Sequence, residues 1–142
     1  MINDVQMLRF VMKNAEMGCR SINHIKHYAN TPEMAKALKT QNLEYGRIYH
    51  SAWCMLKRRG AETKHVHPAY VVMSKAIAER ELRKDDSNSH IAEMMIQGNT
   101  MGVQKIARHI RQYGDQNKNI TYLANKLMST EQANIEQMRE FL

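Results

Sequence analysis

The chain is poor in the residues that interrupt secondary structure, since its 142 residues include only six Gly and two Pro. So few turn formers exclude most all-β sandwiches and barrels, which need a turn after every short strand. Two Cys are too few for a disulfide scaffold. No secretory pattern follows Met1, and no apolar run approaches the roughly eighteen residues that cross a bilayer. We therefore expect a cytoplasmic protein without a membrane partner.

Apolar residues recur at steps of three and four along most of the chain, which is the period of amphipathic helices. This period predicts four long helices, over 4–30, 32–59, about 89–113 and about 119 to the C-terminus, and a shorter one over 70–82. Thr31 and Pro32 are typical of a helix start, and Gly60 and Gly114 are typical of helix ends. We therefore predict an all-α fold in one domain over residues 1–142.

The spacing of the helices predicts how they are connected. Only Asn30 and Thr31 separate the first two long helices, so these should form an antiparallel hairpin, and the last two form a second hairpin around Gly114. Residues 61–89, between the hairpins, are enough to cross the length of a bundle. This order predicts a ferritin-like antiparallel four-helix bundle with a short extra helix in the crossover connection. A plain up-and-down bundle with an irregular middle is the alternative.

Several polar side chains fall on faces that a helical wheel assigns to the interior. Gln41 lies at the centre of the apolar stripe of its helix, with Glu44 on the flank. Glu131 and Asn134 fall within the stripe of the last helix, and Asn99 lies beside the stripe of the third long helix. Because buried polar groups are usually hydrogen-bonded, we predict that these five residues form a buried polar network.

Two pairs in this set have the spacing of a carboxylate metal site. Gln41-x-x-Glu44 and Glu131-x-x-Asn134 stand where di-iron bundles carry Glu-x-x-His. The chain therefore resembles the ferritin-like superfamily in layout, with the metal-ligand positions largely substituted. The resemblance implies a bundle that has lost most of its affinity for metal, because amides are poor ligands for iron. A residual site for Fe, Mn or Zn is the alternative, with the candidate ligands Glu16, Glu44, Glu131, His50 and His109.

Two glycines, Gly98 and Gly102, lie one turn apart on the inward face of the third long helix. Glycine costs about 1 kcal/mol relative to alanine in a helix interior, so each position requires a structural reason. We predict close helix packing at both positions. A ligand that lies against the bared backbone is the alternative.

The composition also bears on macromolecular partners. The net charge is +7, but the basic residues are dispersed over helix ends and outward faces, so nucleic-acid binding is a secondary expectation. The chain has twelve Met, and Met7, Met73, Met94 and Met101 lie off the main apolar stripes. A second apolar patch of this kind favours a homodimer.

Three functions are compatible with these observations. The leading hypothesis is a non-enzymatic structural or interaction protein on a ferritin-like bundle without a standard di-iron site and without a cofactor. The second is a metal-binding or redox protein with an atypical ligand set. The third is a basic bundle associated with nucleic acid. No catalytic residues are predicted, and the sequence leaves open whether the protein is an enzyme.

Overall fold

The computed structural model describes residues 1–142, and every regular element in it is helical. The all-α prediction is therefore confirmed. No helix combines the length and the apolar character that crossing a membrane requires. The elements are α1 (Asp4–Ile25), a 3₁₀ turn (Lys26–Tyr28), α2 (Pro32–Arg58), α3 (Pro68–Lys84), α4 (Asn88–Tyr113) and α5 (Lys118–Arg139).

The helix ends follow the local chemistry of the sequence. The Thr31 hydroxyl accepts a hydrogen bond from the Met34 amide at the start of α2, and Gly114 ends α4 with a left-handed backbone, φ 66°. The predicted first helix is too long, because α1 ends at Ile25 and the next three residues tighten into the 3₁₀ turn. Such tightening is common where a helix ends.

The hydrogen bonds at the helix ends establish how the helices run. The Asn88 side chain donates to Thr31 Oγ1 at 3.0 Å, so α2 and α4 begin at the same end of the molecule. At the opposite end, the Ile2 amide donates to the Gln112 carbonyl at 3.2 Å, which places the end of α4 beside the start of α1. Helix α1 packs along α2, and α4 packs along α5. The connection from α2 to α4 therefore runs the length of the molecule and contains α3.

The core is a cluster of 25 buried apolar residues from α1, α2, α4 and α5, with Leu82 as the one contribution of α3. Met7 belongs to this core and is fully buried, so the prediction that it lies off the apolar stripe is wrong. Leu8 and Val11, one and four residues further along α1, are also buried, so the buried face of α1 is wider than the stripe that the wheel assigned. Met73 and Met101 are more than half exposed, as the wheel predicts.

Candidate functional site

A buried hydrogen-bond network connects three helices in the centre of the molecule. The Tyr45 hydroxyl of α2 lies 2.8 Å from Asn99 Oδ1 of α4 and 3.1 Å from Glu131 Oε2 of α5. Asn134 Nδ2 adds a longer contact of 3.4 Å to the same Asn99 oxygen, and Asn99 Nδ2 donates to the Met95 carbonyl at 2.7 Å. Because each of these groups is buried, the network fixes the relative positions of α2, α4 and α5.

Glu131 is the only acidic member of this network, and it is 2% exposed. Burial raises the pKa of the Glu131 carboxyl to about 7, while the Tyr45 hydroxyl and the Asn14 amide act in the opposite direction because they favour the charged form. Burial and the Glu131 carboxylate in turn raise the pKa of Tyr45. The second carboxyl oxygen, Glu131 Oε1, is covered and has no hydrogen-bond partner within 3.5 Å. A buried polar atom without a partner is uncommon and requires an explanation.

Glycines make room for the two central side chains of the network. A Cβ atom at Gly102 of α4 would lie 2.7 Å from Glu131 Cδ, and one at Gly18 of α1 would lie 2.6 Å from the Tyr45 ring. Both distances are shorter than real Cβ contacts. Gly102 therefore packs closely against a neighbouring helix, through the Glu131 side chain.

Gly98 does not pack closely, and the prediction made for it is wrong. A Cβ atom at this position would meet nothing within 4 Å. Gly98 lies one helical turn from Gly102, and no side chain of α5 or α1 comes near it. The backbone of α4 therefore borders an empty space at this position. The alternative interpretation of this glycine, a bared backbone that faces a space for a ligand, describes its surroundings.

That space is a cavity of about 750 Å³ between α1, α3 and α4. The network residues Tyr45, Asn99 and Glu131 contribute to its wall, and Gly98 and Gly102 line the side formed by α4. Pockets that hold small organic molecules have volumes of about 300–1,000 Å³. The cavity is therefore large enough for such a molecule. Its wall includes Glu131, whose Oε1 has no hydrogen-bond partner.

The two ends of the cavity differ in chemistry. Glu131 lies against Gly102, and Lys105 follows Gly102 by one turn on α4. Lys13 and His67 line the cavity near this level, because Phe10 of α1 stacks on His109 of α4 and the Val66 amide bonds Glu16, and Phe10 and Met101 also line this end. Toward the end of α1 and the start of α4 the lining includes Ser21 and Ser74 but is mainly apolar, with the following residues: Ile25, Ile77, Ala78, Met94 and Met95. A molecule that matched this lining would itself have a polar end and an apolar end.

No protein-family model, curated protein or solved structure matches this chain. The function must therefore be inferred from the network and the cavity.

The structure brings together most of the predicted polar network, but not all of it. Asn99, Glu131 and Asn134 lie together, whereas the buried Gln41 makes a separate hydrogen bond, in which its side-chain amide donates to Gln137 Oε1 at 2.8 Å. The prediction that Glu44 belongs to the network is wrong, because its side chain is 30% exposed and pairs with Arg47 on the same helix. A residue on the flank of an apolar stripe can turn to water when a basic side chain lies one turn away.

The candidate metal ligands are not brought together. Glu16 accepts from Arg20 Nε at 2.9 Å and from the Val66 amide at 3.0 Å, so it holds the loop that follows α2. The exposed His50 lies 3.5 Å from Cys54 Sγ, and the His109 ring stacks on Phe10. Glu44 and Glu131 lie in the separate environments described above. No group of three or more His, Cys, Asp or Glu side chains could hold a metal ion, so the predicted ligand set is wrong.

Two residues of the site were not identified from the sequence. Tyr45 lies on the apolar stripe of its helix, which predicts only a core residue, although its hydroxyl is the centre of the network. Gly18 carried no signal of its own. A buried Tyr usually finds a hydrogen-bond partner, so its position one turn after Gln41 was the available indication.

Proposed function

We propose that this protein is a non-enzymatic binding protein that holds a small amphipathic molecule in the cavity between α1, α3 and α4. The single observation that carries the proposal is Glu131 in the cavity wall, buried and with Oε1 unpartnered. A polar group of the ligand at this oxygen would satisfy it. The apolar part of the ligand would extend toward Ile25 and Met94, at the other end of the cavity.

The lining favours a binding role because it combines an apolar surface with a few fixed polar groups. Small-molecule sites are typically of this kind, and their polar groups set the orientation of the ligand. The Tyr45 and Asn99 side chains are held by hydrogen bonds within the network. The polar side of the cavity is therefore rigid before any ligand enters, which lowers the entropic cost of binding.

We further propose that the fold is a ferritin-like four-helix bundle with α3 as the extra helix in the crossover. The hydrogen bonds between Asn88 and Thr31 and between Ile2 and Gln112 support this wiring, because they make α4 parallel to α2. Distances between spin labels at the exposed positions Lys36 and Glu93 would test it. A long distance between these positions, both in the first two turns of their helices, would contradict the proposal.

The binding proposal can be tested with the neutral apolar dye N-phenyl-1-naphthylamine, whose fluorescence rises in an apolar site. We expect saturable binding to the native protein and its loss in Gly98→Leu, because the leucine side chain would project into the cavity. Gly46→Leu is the matched control. Gly46 also lies within a helix with nothing within 4 Å of its Cβ position, but it does not line the cavity.

The two leucine variants share the same gain in helix propensity, about 1 kcal/mol relative to glycine. Their comparison therefore separates occupation of the cavity from a change in stability. Equal binding of the dye by Gly98→Leu and the native protein would contradict the proposal. So would equal loss of binding in Gly98→Leu and Gly46→Leu.

A homodimer is proposed as a second property of the protein. Apolar side chains that are more than half exposed support it, among them Val72 and Met73 on α3 and Met101 on α4. An exposed apolar surface of this kind often meets a second subunit. A monomer mass in light scattering at tens of micromolar protein would contradict it.

The remaining alternatives have less support from the site. The metal-binding alternative would need a ligand set other than the predicted one, because those residues lie apart. Binding to nucleic acid rests on the net charge of +7 alone. Elution from heparin at or below physiological salt would contradict it, since binding through several phosphate contacts should persist above that concentration.

A further inference from the structure

The polar end of the cavity carries more positive than negative groups. Lys13 of α1 and Lys105 of α4 both line it, and neither forms an ion pair with a carboxylate of the protein. His67, before α3, accepts a hydrogen bond at Nδ1 from the Ala69 amide. Its Nε2 therefore carries the hydrogen and can donate a hydrogen bond. Among the lining residues, Glu131 is the only acid. This end of the cavity therefore offers hydrogen-bond donors and unpaired positive charge.

Helix geometry places these groups at about the level of Glu131 along the helices. Glu131 lies against Gly102, and Lys105 follows Gly102 by three residues, which puts it on the same face one turn away. On α1, which runs antiparallel to α4, Lys13 directly precedes Asn14, another lining residue. A single head group at this end could therefore meet Glu131 and a lysine from each of two helices.

We propose, on the basis of the binding function above, that the ligand is an amphipathic carboxylate with a medium-length alkyl chain. Its carboxylate would lie between Lys13 and Lys105 and share a proton with Glu131. Its alkyl chain would lie along α4 toward Met94 and Ile25.

The length and lining of the cavity agree with an alkyl chain. The lining residues of α4 extend from Met94 to Lys105, a distance of about 16 Å at the rise of an α-helix. Between these two residues the wall includes Gly98, whose missing side chain leaves a channel along the helix. An extended alkyl chain could occupy the whole length of this channel. A bulky ring system would occupy only part of it.

Two carboxyl groups in contact bind one proton more tightly than either does alone, because two adjacent negative charges repel each other. The groups that face Glu131 or share its end of the cavity are Tyr45 of α2, Lys13 of α1, Lys105 of α4 and His67 at the start of α3. Burial and the Glu131 carboxylate raise the pKa of Tyr45, so its hydroxyl stays protonated near neutral pH. Affinity for the carboxylate should therefore fall as the pH rises through the pKa of Glu131, about 7.

Displacement of N-phenyl-1-naphthylamine by decanoate, decanol and decylamine, each below its micelle concentration, tests this head-group assignment. We expect decanoate to bind at least about tenfold more tightly than decylamine at about pH 6, and about tenfold less tightly at about pH 8 than at pH 6. In Glu131→Gln, which keeps a hydrogen-bond donor but cannot lose a proton there, the affinity for decanoate should be independent of pH. A pH dependence that persists in this variant would overturn the shared proton.

The lysines are tested by the double substitution Lys13→Met and Lys105→Met. We expect the affinity for decanoate to fall at least about fivefold while that for decanol is unchanged, because only the anion pairs with the lysines. The control is Lys36→Met with Lys39→Met, which removes the same charge from exposed positions of α2 that do not line the cavity. An equal fall in both double variants would overturn the contact with the lysines.

The three competitors also separate this inference from the function on which it rests. At about pH 6, displacement by decanol together with equal or weaker displacement by decanoate would overturn the carboxylate assignment and leave the amphipathic ligand in place. Stronger displacement by decylamine than by decanoate would have the same meaning and would identify a cationic head group. Failure of all three competitors to displace the dye would overturn both proposals.

Discussion

Helix α3 buries a much smaller fraction of its residues than the helices of the two hairpins do. Helix α1 buries eight of its 22 residues, whereas α3 buries only Leu82 among 17. The hairpin helices pack against one another through the core and the polar network, but α3 packs chiefly on α1. The difference indicates that α3 contributes little to the core and serves mainly as the outer wall of the cavity.

The attachments of α3 agree with this role. Just before α3, the Val66 amide donates a hydrogen bond to the Glu16 carboxylate. Near the end of α3, the Glu81 carboxylate lies 3.6 Å from His90 Nε2 of α4. Between these two ends, Tyr70 and Ile77 are exposed although they line the cavity. Because these side chains are not packed into the core, α3 covers the cavity without filling it.

Truncation of a large side chain should lower the free energy of unfolding much more in a hairpin helix than in α3. Leu127→Ala should lower the free energy of unfolding by about 2–5 kcal/mol, because Leu127 is fully buried in α5. Ile77→Ala in α3 should lower it by less than about 0.5 kcal/mol, because the side chain is 58% exposed. Urea denaturation of both variants measures the two values. Similar losses in the two variants would contradict the difference between the regions.

The second expected effect concerns the network that faces the cavity. The pKa of Glu131 is raised from 4.5 to about 7, so the folded protein binds this proton more tightly than the unfolded chain. The resulting stabilisation is complete below pH 4.5 and is lost as the pH rises through about 7, a loss on the order of 3 kcal/mol. In Glu131→Gln this loss should be absent, and urea denaturation at several pH values measures it.

Glu136→Gln is the matched control for that experiment. Glu136 lies on the same helix, is 71% exposed and pairs with Arg139, so its removal should leave the pH dependence of the native protein unchanged. If Glu131→Gln kept the same fall in stability between pH 5 and 8 as Glu136→Gln, the raised pKa of Glu131 would be refuted.

Alanine substitutions at Gly102 and Gly98 of α4 should change the stability of the protein by small amounts and in opposite directions. Gly102→Ala should destabilise the protein by about 1–3 kcal/mol, because the new Cβ would displace the Glu131 carboxyl. Gly98→Ala should stabilise it by up to about 1 kcal/mol, because alanine has the higher helix propensity and the space is open. Thermal denaturation of both variants checks the signs. Destabilisation by Gly98→Ala would mean that another helix does approach that position.

The helices could be predicted from the sequence because their determinants are local. Apolar residues at steps of three and four, the cap at Thr31 and the left-handed Gly114 lie within the segments that they define. The burial of Asn99, Glu131 and Asn134 also follows from their positions on or beside the apolar stripes. The predicted end of α1 was wrong by a few residues, since helix ends depend on weak local preferences.

The cavity could not be predicted in the same way because it depends on the spacing between helices. A wheel shows that Gly98 and Gly102 face inward, but only the third dimension shows that Glu131 fills the space at one and nothing fills it at the other. The same limit explains Glu44, which turns toward Arg47, and the dispersed metal candidates. Facing the interior is a property of one helix, whereas meeting at a site is a property of several.

The most direct test of the ligand cavity uses the methionine methyl groups as reporters in an NMR titration with decanol, the neutral competitor. If decanol enters the cavity, we expect shifts for the methyls that line it, those of Met17, Met94, Met95 and Met101. The methyls of Met34 and Met138, which are fully buried in the core away from the cavity, should not shift. Shifts at these two core methyls without shifts at the cavity methyls, or no shifts at saturating decanol, would contradict the account.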